Sequence, residues 1–283
     1  MPAPANGETA PKSVIVTGGA SGIGLAMSRY FASLGSQVAI LDVNTDSGAK
    51  VAAELATEYP QATVSFKQCD VTLWDEQAAV FQEVYHGHSD RIDVVMANAG
   101  VSEQGVTTIV DLGEDTPSPP KLKSLNINLI GTIYSVKLAV HYMNKKPQDG
   151  GLSSRGSIIC TASNAGLYPF PLAPLYATSK FGVVGLVRST ARAIEESRIQ
   201  INALAPAVLE TNIGGPDEGF ISKMIVTPMS TLIRGVADLI ADPSLTGQVA
   251  EIHGNSVTIR PQHEFVDEDT EKNIEMFWNF AKA

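Results

Sequence analysis

Three side chains in the middle of this 283-residue chain have the types and spacing of a proton-transfer device: Ser163, Tyr176 thirteen residues later, and Lys180 four beyond that. A spacing of four puts two side chains on one face of a helix, which would stand a phenol beside an ammonium. A positive charge about 4 Å away is worth roughly 4 kcal/mol at an effective dielectric of ~20. That is enough to draw a phenol, which normally titrates far above neutrality, down towards it, where it can take or give a proton in catalysis. Tyr-x-x-x-Lys also arises on ordinary solvated helices, so the meaning of the pair depends on what surrounds it.

The elements that must position these groups alternate. Strands are predicted at 13–17, 37–41, 63–68, 92–97, 156–161, 199–204 and 248–253, and helices at 23–34, 47–59, 73–85, 122–143, 176–196 and 231–241. Gly35 stands where a helix C-terminus wants a residue free to turn left-handed, and Pro60 closes the second helix. Several strands are short, almost continuous apolar runs, the mark of a parallel sheet covered on both faces. Strand–helix alternation with helices of ten to fifteen residues implies βαβ units. The fold class expected is therefore α/β, a single Rossmann-type doubly wound parallel sheet of about seven strands with helices on both faces. Residues 1–12 read as a polar, disordered tail, 13–260 as the domain, and 261–283 as a C-terminal extension. That extension begins acidic and ends in Met276, Phe277, Trp278 and Phe280, and would pack on the domain or on a neighbouring subunit.

Composition narrows the function. The net charge of −10 disfavours a phosphate backbone as partner, so no nucleic acid is expected. No apolar run approaches the length of a membrane span, and the N-terminus lacks the apolar core of a signal peptide. Two cysteines, Cys69 and Cys160, in a chain this long fit a reducing compartment better than a disulfide; the expected location is cytoplasmic. His86 and His88 lack the company of a metal site and read as surface residues near a helix end.

Between the first strand and the first helix lies TGGASGIG, Thr17 to Gly24. Glycines there permit unusual backbone angles and close approach of a ligand. The helix N-terminus beyond them offers free amides and a positive dipole end to a pyrophosphate. Asp42 ends the second strand about twenty residues further on, where a carboxylate can accept hydrogen bonds from ribose hydroxyls and repel a 2′-phosphate. It would otherwise cap the following helix. No Arg or Lys occurs within the turn or just after Asp42, which favours NAD over NADP.

TGGASGIG, Cys69-Asp70-Val71, Asn98-Ala99-Gly100, Asn128, Ser163, Tyr176 and Lys180, in that order over residues 13 to about 211, resemble the motif set of the short-chain dehydrogenase/reductase family. The resemblance implies roles. Gly18, Ser21, Gly22, Ile23 and Gly24 would line the pyrophosphate, Asp42 the adenosine ribose, and Asp70 and Val71 the adenine. Asn98, Ala99 and Gly100 would support the sheet and the ribose, and Thr211 would hold the nicotinamide carboxamide. Asn128 would support a water-mediated proton path behind Lys180, while Ser163, Tyr176 and Lys180 would be the catalytic serine, tyrosine and lysine. Pro206-Ala207 departs from the family's usual Pro-Gly. The run INLIGTIYSVKLAVHYM, Asp42 and the aromatic tail are similar to NAD-dependent 15-hydroxyprostaglandin dehydrogenase-like members and their fungal relatives.

The chemistry expected is hydride transfer between NAD and a hydrophobic secondary alcohol or ketone, with Tyr176 as acid/base and no metal. Leu167, Tyr168, Phe170, Pro171, Leu172, Met224, Ile225 and Met229 would border the substrate, or else serve ordinary packing. Two other readings are open: an NADPH-dependent ketoreductase of a biosynthetic pathway, and a dinucleotide-binding member without redox activity, a cyclase or sensor. The resemblance also implies a homodimer or homotetramer pairing through the two long helices.

Overall fold

A computed structural model describes residues 12–103, 109, 113, 115–145, 154–209 and 224–280. Eight strands form one sheet in the order β3-β2-β1-β4-β5-β6-β7-β8. These are β1 (Ser13–Thr17), β2 (Gln37–Asp42), β3 (Thr63–Gln68), β4 (Val94–Ala97), β5 (Gly156–Thr161), β6 (Ile199–Pro206), β7 (Val249–His253) and β8 (Ser256–Arg260). The first seven are parallel. The eighth pairs antiparallel with β7 through a turn in which Gly254 takes φ +49°. The expected seven strands thus become eight. Ser256–Arg260 is a five-residue edge strand returned by a tight hairpin, so it continues no βαβ rhythm.

The helices are α1 (Gly22–Ser33), α2 (Thr45–Glu58), α3 (Trp74–Gly87), α4 (Lys123–Leu125), α5 (Gly131–Asn144), α6 (Pro174–Ala193), α7 (Met229–Ala241) and α8 (Glu268–Phe280). Period-2 alternation in the strands sorts them into two layers. Ile15, Val95, Ile158 and Ile201 face a core shared with Phe81 of α3, Val136 of α5 and Val187 of α6. Val14, Met96, Ile159 and Leu204 face a second core with Phe31 of α1, Leu55 of α2 and Leu232 of α7. One sheet therefore carries helices on both faces, as expected.

The helix expected over 122–143 runs without a break from Lys123 to Asn144, but its backbone carries a π-helical turn, Asn126–Ile130, between α4 and α5. Such turns often mark functional positions in helices, and Asn128 sits inside this one. Gly35, with φ +72°, ends α1 as expected. His86 is exposed beside Asp90, but His88 is not a surface residue. It is buried, and its Nδ1 is hydrogen-bonded to Ser13 Oγ at 2.8 Å, pinning the end of α3 to the start of β1. Cys69 and Cys160 are both buried free thiols. No helix among the described residues is long and apolar enough to cross a membrane.

Candidate active site

The chain runs outward from β1 to β2 and β3, then crosses back to β4 on the other side of β1. That reversal opens a crevice at the carboxyl ends of β1 and β4, where open α/β sheets take their ligands. Two glycines shape the turn above it. Gly18 has φ +62°, and a Cβ there would meet the Ala99 backbone at 2.9 Å. A Cβ on Gly24 would lie 2.0 Å from the Gly18 carbonyl. Only glycine lets α1 come this close to the strand ends.

Asn98 and two threonines stitch the strand ends together. Thr17 Oγ1 accepts the Asn98 and Ala99 amides at 2.9 and 3.0 Å. Asn98 Nδ2 donates to the Thr17 carbonyl at 3.0 Å, and Asn98 Oδ1 accepts from the Thr161 hydroxyl at 3.0 Å. Thr17 and Thr161 carry no spacing signal in the sequence, because their partners lie more than sixty residues away.

The residues fit a dinucleotide. Gly22, Ile23 and Gly24 open α1, so their amides have no preceding turn to bond to. The Ser21 side chain makes no capping bond, and no acidic residue stands in the first turn. Such an N-terminus is suited to an anion. The Ile23 side chain turns inward to the core. Asp42, at the end of β2, accepts the Ala20 amide on Oδ2 at 3.2 Å and the Asn44 amide on Oδ1 at 3.1 Å. The cap of the next helix, the other role open to Asp42, is taken by Asn44, whose side chain accepts the Ser47 amide.

Asp70 Oδ1 accepts both the amide and the hydroxyl of Thr72, at 2.8 and 2.7 Å. A cavity of about 450 Å³ opens beside it, lined also by Lys121, Leu122, Lys123, Asn126 and Ile127. Val71 is buried, and a Cβ on Gly131 would strike its side chain at 2.7 Å. The backbone of Val71 is thus set by the close approach of α5. Thr211 lies outside the described residues.

Ser163, Tyr176, Lys180 and Asn128 converge at the carboxyl ends of β4 and β5. A Cβ on Gly100 would stand 3.3 Å from Asn128 Oδ1 and 3.5 Å from Lys180 Nζ. Lys180 is buried and donates to the Thr161 carbonyl at 2.8 Å. Ser163 Oγ donates to Asn164 Oδ1 and accepts the Ala165 amide, both at 3.1 Å, and it stands close enough to the Tyr176 phenol to influence its titration. Asn128 clamps Val101 from both sides, accepting its amide at 2.8 Å and donating to its carbonyl at 2.9 Å. The Asn128 carboxamide further donates to Ser179 Oγ at 3.1 Å, and Ser179 donates to the Tyr176 carbonyl at 2.6 Å.

The expected pull of Lys180 on the phenol is not what dominates. Burial raises Tyr176 above its usual value, and the bond to Ser163 draws it back. The ammonium lies 5.6 Å from the centre of the tyrosine ring. Burial pushes Lys180 itself down to about 8.

One carboxylate that spacing did not mark belongs to this constellation. Glu103 Oε2 accepts the backbone amides of Leu175 and Tyr176 at 2.9 and 3.1 Å. Nothing local distinguishes Glu103, since its partners are 72 and 73 residues away.

Family comparison agrees with this geometry. The sequence model of the family described as short chain dehydrogenase matches residues 12–218. The chain belongs to the short-chain dehydrogenase family. Members of this family are oxidoreductases that work between alcohols and carbonyls with a nicotinamide dinucleotide. The 5′-hydroxyaverantin dehydrogenase of Dothistroma septosporum is 31% identical over 277 residues, covering 94% of this chain and 89% of that protein. The NAD(+)-dependent 15-hydroxyprostaglandin dehydrogenase of Bos taurus is 30% identical over 259 residues, covering 85% and 90%. The solved NADPH-dependent 3-quinuclidinone reductase of Rhodotorula rubra superposes with a TM-score of 0.73 at 25% identity, covering 90% of this chain and 96% of that one. The family therefore holds members of both cofactor preferences.

Around this short-chain dehydrogenase site the apolar residues divide. Leu167 and Met229 are partly buried and pack against the two cores. Tyr168 donates to Glu251 Oε2 at 3.2 Å, joining the network of β7. Phe170 and Pro171, with Pro169, Pro174, Ala177, Thr178 and Phe181, line an apolar cavity of about 550 Å³. The Phe170 ring centre is 6.3 Å from that of Tyr176. Leu172 and Ile225 are exposed, the latter at 90%. Ala207 extends the pairing of β6 with β7, its amide donating to the Ile252 carbonyl at 2.9 Å. Among the described residues no cluster of His, Cys, Asp or Glu could hold a metal ion.

Proposed function

We propose that this short-chain dehydrogenase is NAD-dependent and acts on a hydrophobic secondary alcohol or the matching ketone, with Tyr176 as its acid/base. The observation that carries the reading is the meeting of Ser163, Tyr176, Lys180 and Asn128 beside Gly100, next to a glycine turn and a carboxylate suited to a dinucleotide. Bound there, NAD would accept or return the hydride.

The chain's own groups do the rest. Tyr176 takes the hydroxyl proton of the alcohol or returns it to the ketone oxygen. Ser163 donates a hydrogen bond to that oxygen as charge develops on it. Lys180, held by the Thr161 carbonyl, would hold the nicotinamide ribose of the bound cofactor. A cofactor carrying positive charge beside a phenol that burial has raised would favour its ionised form. Asn128 supports proton exit through water. Asp42 discriminates against a 2′-phosphate by charge, and the amides it already accepts hold its carboxylate in place. The apolar lining around Phe170 and Pro171 suits an uncharged substrate.

The test is nicotinamide reduction followed by absorbance, with NAD or NADP against a panel of cyclohexanol, a long-chain methyl carbinol and an aryl methyl carbinol. Turnover with NAD supports the reading. Preference for NADP would overturn the role of Asp42 and leave the NADPH-dependent ketoreductase; tight NAD binding with no turnover of any alcohol or ketone would favour the non-redox reading.

A further inference from the structure

Tyr176 is the third residue of α6, where helix amides go unpaired. The usual remedy is an N-cap side chain, but Ala173 stands there and has none to offer. The chain satisfies this helix start by other means. The Ala173 amide donates to the Phe170 carbonyl, Pro174 has no N–H, and the Ala177 amide donates to the Ala173 carbonyl at 2.9 Å. That leaves the amides of Leu175 and Tyr176, and Glu103 Oε2 accepts both.

The same peptide is held from its other side. The Tyr176 carbonyl accepts from Ser179, whose hydroxyl is fixed by Asn128, and Asn128 in turn grips Val101. Val101 and Glu103 belong to one segment following β4. A closed loop of hydrogen bonds thus runs from Val101 through Asn128 and Ser179 to the Tyr176 carbonyl, and from the Tyr176 amide back to Glu103. The Glu103 Oε1 atom is buried without a hydrogen-bond partner among the described residues. A carboxylate so withdrawn from water bonds its remaining donors more strongly.

We propose that Glu103 is a positioning residue for Tyr176: its carboxylate caps the catalytic helix from the segment after β4 and fixes where the phenol stands against Ser163 and the substrate oxygen. This rests on Tyr176 being the acid/base. Glu103 touches no reacting atom in this scheme and acts through the Tyr176 backbone. The step it serves is steep in geometry, since misplacement by about 1 Å can cost on the order of a hundredfold in rate.

The test compares Glu103→Ala and Glu103→Gln with the unaltered chain and with Tyr176→Phe. Glu103→Gln keeps a carbonyl oxygen at the same reach, and Glu103→Ala deletes the acceptor. Amide hydrogen exchange at Leu175 and Tyr176, measured without cofactor or substrate, reads the cap directly; it should quicken in Glu103→Ala and stay slow in Glu103→Gln. With NAD and the panel alcohol turned over fastest, kcat should fall by about tenfold to a hundredfold in Glu103→Ala. KM and the NAD dissociation constant should stay near the unaltered values, and Glu103→Gln should recover most of the kcat. Unchanged exchange in Glu103→Ala overturns the cap. Faster exchange with unchanged kcat overturns the positioning role, and so does a parallel loss of NAD affinity or a Gln variant as slow as Ala. An active Tyr176→Phe instead sinks the assignment of the tyrosine, a separate failure.

Discussion

On the proposed cofactor side of the cleft, at the ends of β1, β2 and β4, the polar groups answer one another at hydrogen-bond distance and the glycines leave no room for a Cβ. On the proposed substrate side, beyond β5 and before α7, Leu172, Ile225 and Val226 face solvent and the apolar cavity is open. The first half holds one shape, as the proposed dinucleotide site would need, because a dinucleotide's phosphates and ribose present the same atoms in every turnover. The second half has few such constraints of its own. Tyr176 stands at the seam, and its backbone bonds, through Glu103 on one side and Ser179 and Asn128 on the other, both lead back to the segment after β4.

The sharpest way to break this contrast is to remove the proposed proton carrier alone. Tyr176→Phe deletes one hydroxyl at the seam, and kcat should fall by about a thousandfold or more. The NAD dissociation constant should move little, because the cofactor side keeps every contact described. Steady-state kinetics with fluorescence titration of NAD checks both; near-normal turnover would remove Tyr176 from the chemistry.

Overfilling the rigid half comes next. In Gly24→Ala the added methyl would sit 2.0 Å from the Gly18 carbonyl and 2.8 Å from Asn98 Nδ2. Both neighbours are held in the strand-end network, so the clash has little room to relax. A loss of about 3 kcal/mol in urea unfolding is expected, together with weakened NAD binding. A stable variant with native NAD affinity would show the turn to be looser than its contacts imply. For Asp42→Ala the fold should survive, and the ratio of kcat/KM for NAD over NADP should fall by about tenfold, on the order of 1.4 kcal/mol.

A buried lysine at the seam makes stability depend on pH. Lys180 titrates at about 8 in the folded chain against an ordinary value of 10.5. Between these the unfolded chain binds more protons, so stability rises with pH from about 8 towards 10.5. Cys69 and Cys160, both raised by burial to about 12, act in the opposite sense as pH rises past the ordinary thiol value of 9. Lys180→Met isolates the lysine, since both chains keep the thiols. From pH 7 to 9 the cofactor-free unaltered chain should gain about 1 kcal/mol over the variant in urea unfolding. A constant gap would mean that Lys180 is not buried as an ammonium.

What the sequence made legible follows the same division. The glycine turn, Asp42, Asn98 and the Ser163–Tyr176–Lys180 set were readable because each role needs a particular residue type at a fixed local spacing, and the parallel sheet because its strands are apolar on both faces. Glu103, Thr17 and Thr161 were not, because each acts through a partner more than sixty residues away. The π-helical turn at Asn126–Ile130 hides inside an apolar periodicity that one extra backbone residue barely disturbs. His88 read as a surface residue, but its partner Ser13 lies 75 residues away. The lysine's effect on the phenol was inferred from spacing alone, which carries no information on burial.

The smallest effect tests the open half. Leu172 is 61% exposed and belongs to neither core, so Leu172→Ala should change stability by no more than about 0.5 kcal/mol. A buried counterpart such as Leu41 on β2, fully enclosed, should cost about 2 to 5 kcal/mol when cut to alanine. If Leu172 closes over an apolar substrate, its loss removes surface burial that only the bound alcohol supplies. At about 25 cal/mol per Å² a few tens of Å² are worth roughly 1 kcal/mol. KM for the long-chain methyl carbinol should then rise by about fivefold while kcat holds, and KM for cyclohexanol, which reaches less far, should rise less. KM values unchanged from the unaltered chain for both alcohols would place the substrate elsewhere, and a large loss of stability would mean that this loop is packed as tightly as the glycine turn.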